Sequence, residues 1–316
     1  MFYLVFLLLN CLPFSRPTFS FLSFIFVYKT INEPFKGTLC VSVTVIVTNK
    51  TEQIYKEILR ENVVNGKDLK NISKELFGQT DNKYLYRKYI NKLLKEKKVG
   101  KVKRGLYFSI PLEHISEEFE VDRYILSNKI KQGYALGYHS ALELHGAAYS
   151  SFNSIYILIQ KKDRFRLFDF QNVKYVPVIN KYYNHHLTLV KYKNKTVSVT
   201  DPARTFVECL DRVDLCGGWE ECLKSLANLR EVKVSDILEI LGIYKNKTLE
   251  LKTGYLLELL SKNSPYYSHI KKKELEPLKP SDDWIPVYID RDVTSKLRKR
   301  WGLYIPEGFD GLLRGI

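Results

Sequence analysis

The sequence predicts an α+β fold, with a small helical unit in front and a mixed α/β region behind it. Three observations predict this. Apolar residues recur at helical spacing across residues 52–98; apolar residues then alternate around Arg104-Gly105; beyond Leu112, strand-like and helix-like runs interleave. A length of 316 residues accommodates two domains. The expected division is a hydrophobic extension over 1–50, the helical unit over 51–111 and the mixed region over 112–316.

Met1 to Tyr28 is rich in Phe and Leu and has no acidic residue. No cationic stretch follows Met1 and no small-residue cleavage site ends the run, as a secretory signal needs. Pro13, Arg16 and Pro17 interrupt it. An Arg near a bilayer centre costs about 2.5–3.5 kcal/mol, and the flanking apolar pieces fall short of the ~20 residues of a span. The extension therefore reads as upstream, AT-rich sequence translated from a misassigned start. The chain has no second Met, so that start would use another codon. A membrane-tethered regulator is the alternative.

In the helical unit, Ile54, Ile58 and Leu59 share one face of a first helix over roughly Glu52 to Glu61. Asn65-Gly66 signals a turn. Leu69, Ile72 and Leu76 mark a second helix, with Gly78 placed to close it. Asp81 is placed to cap a third helix running to about Lys98. At 100° per residue, Tyr86, Tyr89, Ile90 and Leu93 fall on one side of that helix. Tyr84, Arg87, Lys88, Asn91 and Lys95 fall on the other. Val99 to Phe108 then reads as a tight, basic β-hairpin.

Charge is concentrated here. Lys83 to Arg104 holds ten Lys/Arg and one acid, Glu96, which is +9 of the chain's formal +15 in 22 residues. Evenly spread charge keeps a protein soluble, whereas charge gathered on one helix and one loop marks a polyanion partner. Three short helices followed by a basic hairpin is the plan of a winged helix-turn-helix, whose third helix enters the major groove while the wing touches flanking backbone. The expected DNA-binding set is Lys83, Tyr84, Arg87, Lys88, Asn91 and Lys95 on the helix and Lys101, Lys103 and Arg104 on the wing. Arg and Asn suit base edges; Lys and Tyr suit phosphates. The competing reading, a lysine-rich solvated helix, leaves the adjoining cationic hairpin unexplained.

In the second region, Glu113 to Gln132 reads as a connecting helix and Tyr138 to Gly146 as another. Ser154–Gln160, Val173–Ile179 and Leu187–Tyr192 read as strands, and Val197–Thr200 leads into the next helix. Asp201-Pro202 is an N-cap followed by Pro at the first helical position. Gly217-Gly218 breaks the chain, and helices follow over Trp219–Leu229, Ser235–Leu241 and Gly254–Leu260.

No catalytic centre, cofactor site or metal site is expected. The five cysteines lack a close C-x2-C pair, and their odd number without a framework suits reduced thiols in a cytoplasm. His139-x3-Glu143-x-His145 does not have zincin spacing. Asp201, Glu208 and Asp211 could gather Mg²⁺ for a nuclease targeted by the winged unit, but Asp201 already has a capping role. Arg204 stands in the first turn of its helix, where the dipole prefers an acid. It either pairs with Glu208 four residues on, or orders the region and meets an external anion. Lys296, Arg298, Lys299 and Arg300 form a second cationic group, read as a solvated face.

The order of blocks in this region, "YALGYHSALELHG", "VTDPARTFVECLDRVDLCGGWEECLKSL" and "TGYLLELL" behind the winged unit, resembles the AbiEi antitoxins of type IV toxin–antitoxin systems. The resemblance runs from about Thr51 to Leu260. Ser140-Ala141-Leu142, Arg204-Thr205 and Gly217-Gly218 are its recognisable points. The family's arginine before the glycine of the last block is replaced here by Lys252-Thr253. The resemblance implies a regulator that binds inverted repeats in double-stranded DNA upstream of its own operon and represses it. It also implies a C-terminal domain that counters a nucleotidyltransferase-like toxin, with no direct complex assumed.

Overall fold

A computed structural model describes residues 49–78, 81–131, 133–290 and 294–313, and within them the chain is mixed α and β with three separate sheets. The expectations for residues 1–48, and for Cys11 and Cys40 among them, lie outside the described residues.

Helix α1 (Lys50–Glu61) starts where the Asn49 side chain accepts the Thr51 N–H. The expected turn at Asn65-Gly66 is instead a strand end joined to a helix start. Strand β1 (Val63–Asn65) leads directly into α2 (Gly66–Phe77), and Asn65 and Asp68 form a reciprocal capping box there. Gly78, at φ +66°, closes α2 as expected. Asp81 accepts the Lys83 N–H at 2.8 Å. The third helical path consists of α3 (Asn82–Leu85), a π turn (Tyr86–Ile90) and α4 (Asn91–Lys95), with the Asn91 N–H donating to the Tyr86 carbonyl. It stops short of Lys98 because Lys97 turns to φ +55°.

Strands β2 (Val99–Lys103) and β3 (Leu106–Ser109) form the hairpin, and β1 pairs with β3 to give the order β1-β3-β2. All four residues of β3 are buried, because both faces of this sheet are covered. Val64, Val99 and Tyr107 pack with Ile54, Ile58, Ile90 and Leu93 of the helices. Val63, Leu106 and Phe108 pack with Tyr124, Ile125, Ile155 and Tyr175 of the second region. Gly100 makes this packing feasible: a Cβ there would come 2.0 Å from Cζ of Phe108.

The expected connecting helix is mostly absent. A 3₁₀ turn (Leu112–His114) precedes a looser stretch, and α5 (Arg123–Ile130) begins only where Asp122 caps the Tyr124 and Ile125 N–H groups. Gln171 holds the intervening backbone, accepting from the Val121 N–H and donating to the Phe119 carbonyl.

Six strands form the second sheet: β4 (Ala135–Leu136), β5 (Ser154–Ile159), β6 (Phe168–Phe170), β7 (Val173–Ile179), β8 (Leu187–Tyr192) and β9 (Lys195–Thr200). Their order is β6-β7-β5-β4-β9-β8, with β5/β7 and β4/β9 parallel and the remaining pairs antiparallel. Alternation along β5 serves two cores. Ile155, Ile157 and Ile159 face the hairpin sheet, and Leu158 faces a helical layer. Helices α6 (Tyr138–Leu144), α7 (Pro202–Asp211), α8 (Gly218–Asn228), α9 (Val234–Tyr244) and α10 (Lys247–Asn263) build that layer.

A third sheet, unforeseen from the sequence, comprises β10 (Val287–Tyr288), β11 (Ser295–Arg298) and β12 (Leu303–Pro306) in the order β10-β12-β11. Trp301 seats it on α10 at Gly254, where a Cβ would lie 2.2 Å from the indole. Among the described residues no helix is long and apolar enough to cross a membrane.

Candidate nucleic-acid interface

The third helix divides as its periodicity requires. Leu85, Tyr89, Ile90 and Leu93 are buried, and Tyr86 is half-buried with its ring 6.2 Å from that of Tyr107. On the opposite side Lys83, Tyr84, Arg87, Lys88 and Lys95 are exposed and Asn91 is half-exposed. The Lys88 ammonium donates to the Tyr84 hydroxyl at 2.6 Å. That bond raises the lysine's pKa and lowers the phenol's, so Lys88 stays charged and is held along the face.

On the hairpin, Lys101 and Arg104 are exposed. Glu96, the one acid in the cluster, leans towards Lys98 at 3.4 Å and Lys92 at 3.9 Å, and Glu52 also pairs with Lys98 at 3.1 Å. Among the described residues Lys83, Arg87, Lys95, Lys101 and Arg104 have no carboxylate within ion-pair distance. Their field is left open to solvent.

Lys103 does not join them. Its ammonium lies 3.8 Å from the ring centroid of Phe168 and 5.0 Å from that of Phe165, in the second region. Burial and the nearby Lys131 push its pKa down to about 8. The reason is a register shift between Lys101 and Lys103. Residues two apart on a regular strand share a face, and one bulged residue reverses that. Lys101 thus pairs with Tyr107, which faces the helices, and Lys103 with Leu106, which faces the second region.

Arg204 is an interior residue, about 1 % exposed. Its guanidinium bonds Glu208 through Nη2 at 2.8 Å and Nε at 3.0 Å, and Nη1 donates to the His185 carbonyl. Asn180 and Tyr244 also donate to Glu208, each at 2.9 Å. The pairing reading of Arg204 is the one its geometry supports; an external anion has no path to it in this arrangement. Asp201 caps α7 through the Arg204 N–H at 2.7 Å and meets His186 at 3.1 Å. Asp201 and Glu208 are thus each engaged by Arg204, one by its backbone and one by its guanidinium, and among the described residues no group of three or more His, Cys, Asp or Glu is placed to hold a metal.

Residues of the sequence blocks from Tyr134 to Leu260 pack against one another. His139 stacks on Phe152 at 3.6 Å and stands between Glu143 at 3.5 Å and Glu221 at 3.2 Å. His145 contacts the Thr200 carbonyl at 2.7 Å, with its pKa lowered by burial. Cys209, Cys216 and Cys222 are buried free thiols; burial raises the pKa of Cys209 and Cys216, and the contact with Cys216, then burial, raises that of Cys222. Near the C-terminus Lys296 pairs with Glu307, Arg298 with Asp310 and Arg300 with Glu276, which cancels much of that cationic group locally.

No family model matches the chain, and no curated protein sequence matches it. Among solved structures, the fold is similar to that of the RV2827C protein from Mycobacterium tuberculosis. The TM-score is 0.58 at 16% identity, over 84% of this chain and 93% of that one. At that identity the likeness concerns the fold.

Proposed function

We propose that residues 50–109 form a winged helix-turn-helix that binds double-stranded DNA, and that the chain is an autorepressing antitoxin. The observation that carries the DNA reading is the solvent-facing row Lys83, Arg87, Lys95, Lys101 and Arg104. It is contributed by one helix and one hairpin and lacks carboxylate partners among the described residues. Half-exposed Asn91 lies on the same side as Arg87, which puts two side chains capable of bidentate base contacts at the centre of the row. The target is inverted repeats upstream of the chain's own operon. The order of the blocks from Tyr134 to Leu260 supports the antitoxin role, in which the second region opposes a nucleotidyltransferase-like toxin. A stable complex with that toxin is not part of the proposal.

The test is a shift assay with the chain's own upstream DNA at several salt concentrations. Each neutralised phosphate releases a condensed counterion, so six contacts give a slope of log K against log salt of about −5. A flat dependence defeats the reading. Co-expression with the product of the neighbouring gene tests the antitoxin half separately: growth restored by the full chain supports it, and growth that stays arrested overturns it.

A further inference from the structure

The loop between β5 and β6 reads Lys161-Lys162-Asp163-Arg164-Phe165-Arg166-Leu167. It carries four cations against one acid, and Lys161, Lys162, Arg164 and Arg166 are all exposed. Among the described residues none of the four has a carboxylate within ion-pair distance. Four like charges in so short a segment repel one another, and Asp163, the one acid among them, offsets only part of that charge.

Position makes this loop more than a solvated turn. It abuts the hairpin, because Phe165 and Phe168 receive the Lys103 ammonium, and the Phe170 ring meets Phe108 of β3 at 5.8 Å. Phe165 is partly buried while its neighbours Arg164 and Arg166 are exposed, as an extended segment with one side docked requires. The hairpin tip carrying Arg104 thus has the third helix on one flank, through Tyr107 and Tyr86, and the basic loop on the other.

We infer that the 161–167 loop is a second phosphate-contacting element, taking the backbone of the same duplex beyond the reach of the hairpin. The inference rests on the DNA reading above and extends its footprint onto the second region. Side chains of this type, on a loop held by apolar packing, position a duplex without selecting its sequence.

The experiment compares the full chain with Arg164→Gln/Arg166→Gln, using the upstream DNA as probe and a copy trimmed of flanking base pairs on the hairpin side. Melting temperature serves as the folding control, and both side chains are exposed. Loss of two phosphate contacts should make the salt slope on the long probe shallower by about 1.8. Affinity should fall at low salt, and the trimmed probe should abolish the difference between the two proteins. Equal slopes on the long probe overturn the loop's role while leaving the helix and hairpin reading intact. A wild-type chain that shifts neither probe overturns both.

Discussion

Arg204 and Glu208 form an ion pair one helical turn apart, Nη2 to Oε1 at 2.8 Å, where each side chain is about 1 % exposed. Removing one partner of such a pair leaves an uncompensated buried charge, which costs about 3–5 kcal/mol. Arg204→Met should lose stability of that order in urea titrations, and Arg204→Met/Glu208→Leu should regain much of it. Burial already raises the Glu208 pKa. Without the guanidinium, its carboxyl takes up a proton in the folded state but not in the unfolded chain. The folded state then binds more protons above the ordinary carboxyl range, so the loss should grow from pH 5 to pH 8. An Arg204→Met variant as stable as wild type would falsify the structural role.

Base contacts and phosphate contacts separate by substitution. Arg87→Ala and Asn91→Ala should each cost about 1–3 kcal/mol on the best site and relax sequence choice. Lys101→Ala should weaken binding to all sequences alike. Competition assays with scrambled duplexes distinguish the two patterns; three identical profiles would count against this placement of the helix in the groove.

Lys103 should register in stability rather than in DNA affinity. Its folded pKa, about 8, lies below the ordinary lysine value. Below pH 8 both states hold the proton and the cost of desolvating it is fully present. Between about 8 and 10.4 the unfolded chain binds more protons, so stability rises with pH. The melting temperature of wild type relative to Lys103→Met should therefore climb from pH 7 to pH 9.5. A constant difference would show that the ammonium is not buried against Phe168.

At Gly100 a methyl group would strike the Phe108 ring. Gly100→Ala should destabilise by about 1–3 kcal/mol, the usual range for overpacking. Gly100→Ala/Phe108→Leu should recover part of that loss. Chemical denaturation measures both, and a neutral Gly100→Ala would mean that the ring lies elsewhere.

Much of the fold was legible because its signals are local. Asp81, Gly78 and Asp201-Pro202 mark helix ends through side-chain oxygens and backbone freedom, so their positions could be read directly. The exposed set Tyr84, Arg87, Lys88 and Lys95 followed from periodicity, which a single π turn did not scramble. What escaped depends on distant partners. Val63–Asn65 is too short to announce a strand and exists by pairing with β3. Lys103 looked like Lys101 because a register shift has no sequence signature. The stretch before Asp122 resembled a helix until the true cap and Gln171 were seen. The β10–β12 sheet joins pieces of two to four residues, below the length at which alternation can be counted. The charge of the 161–167 loop was readable, but its nearness to the hairpin was not.

The hairpin sheet packs on the helices by one face and on the second region by the other, so it ties the third helix to the second region. Lys129 of α5 adds to that tie, bonding Glu61 at 2.9 Å and Asp68 at 3.2 Å. On the proposed DNA reading, two copies on a palindrome would therefore be aimed by the DNA itself. Each added base pair turns one copy about the axis by roughly a tenth of a revolution. Half-sites moved apart by half a turn would throw the two bodies to opposite sides of the duplex, and any contact between them would be lost.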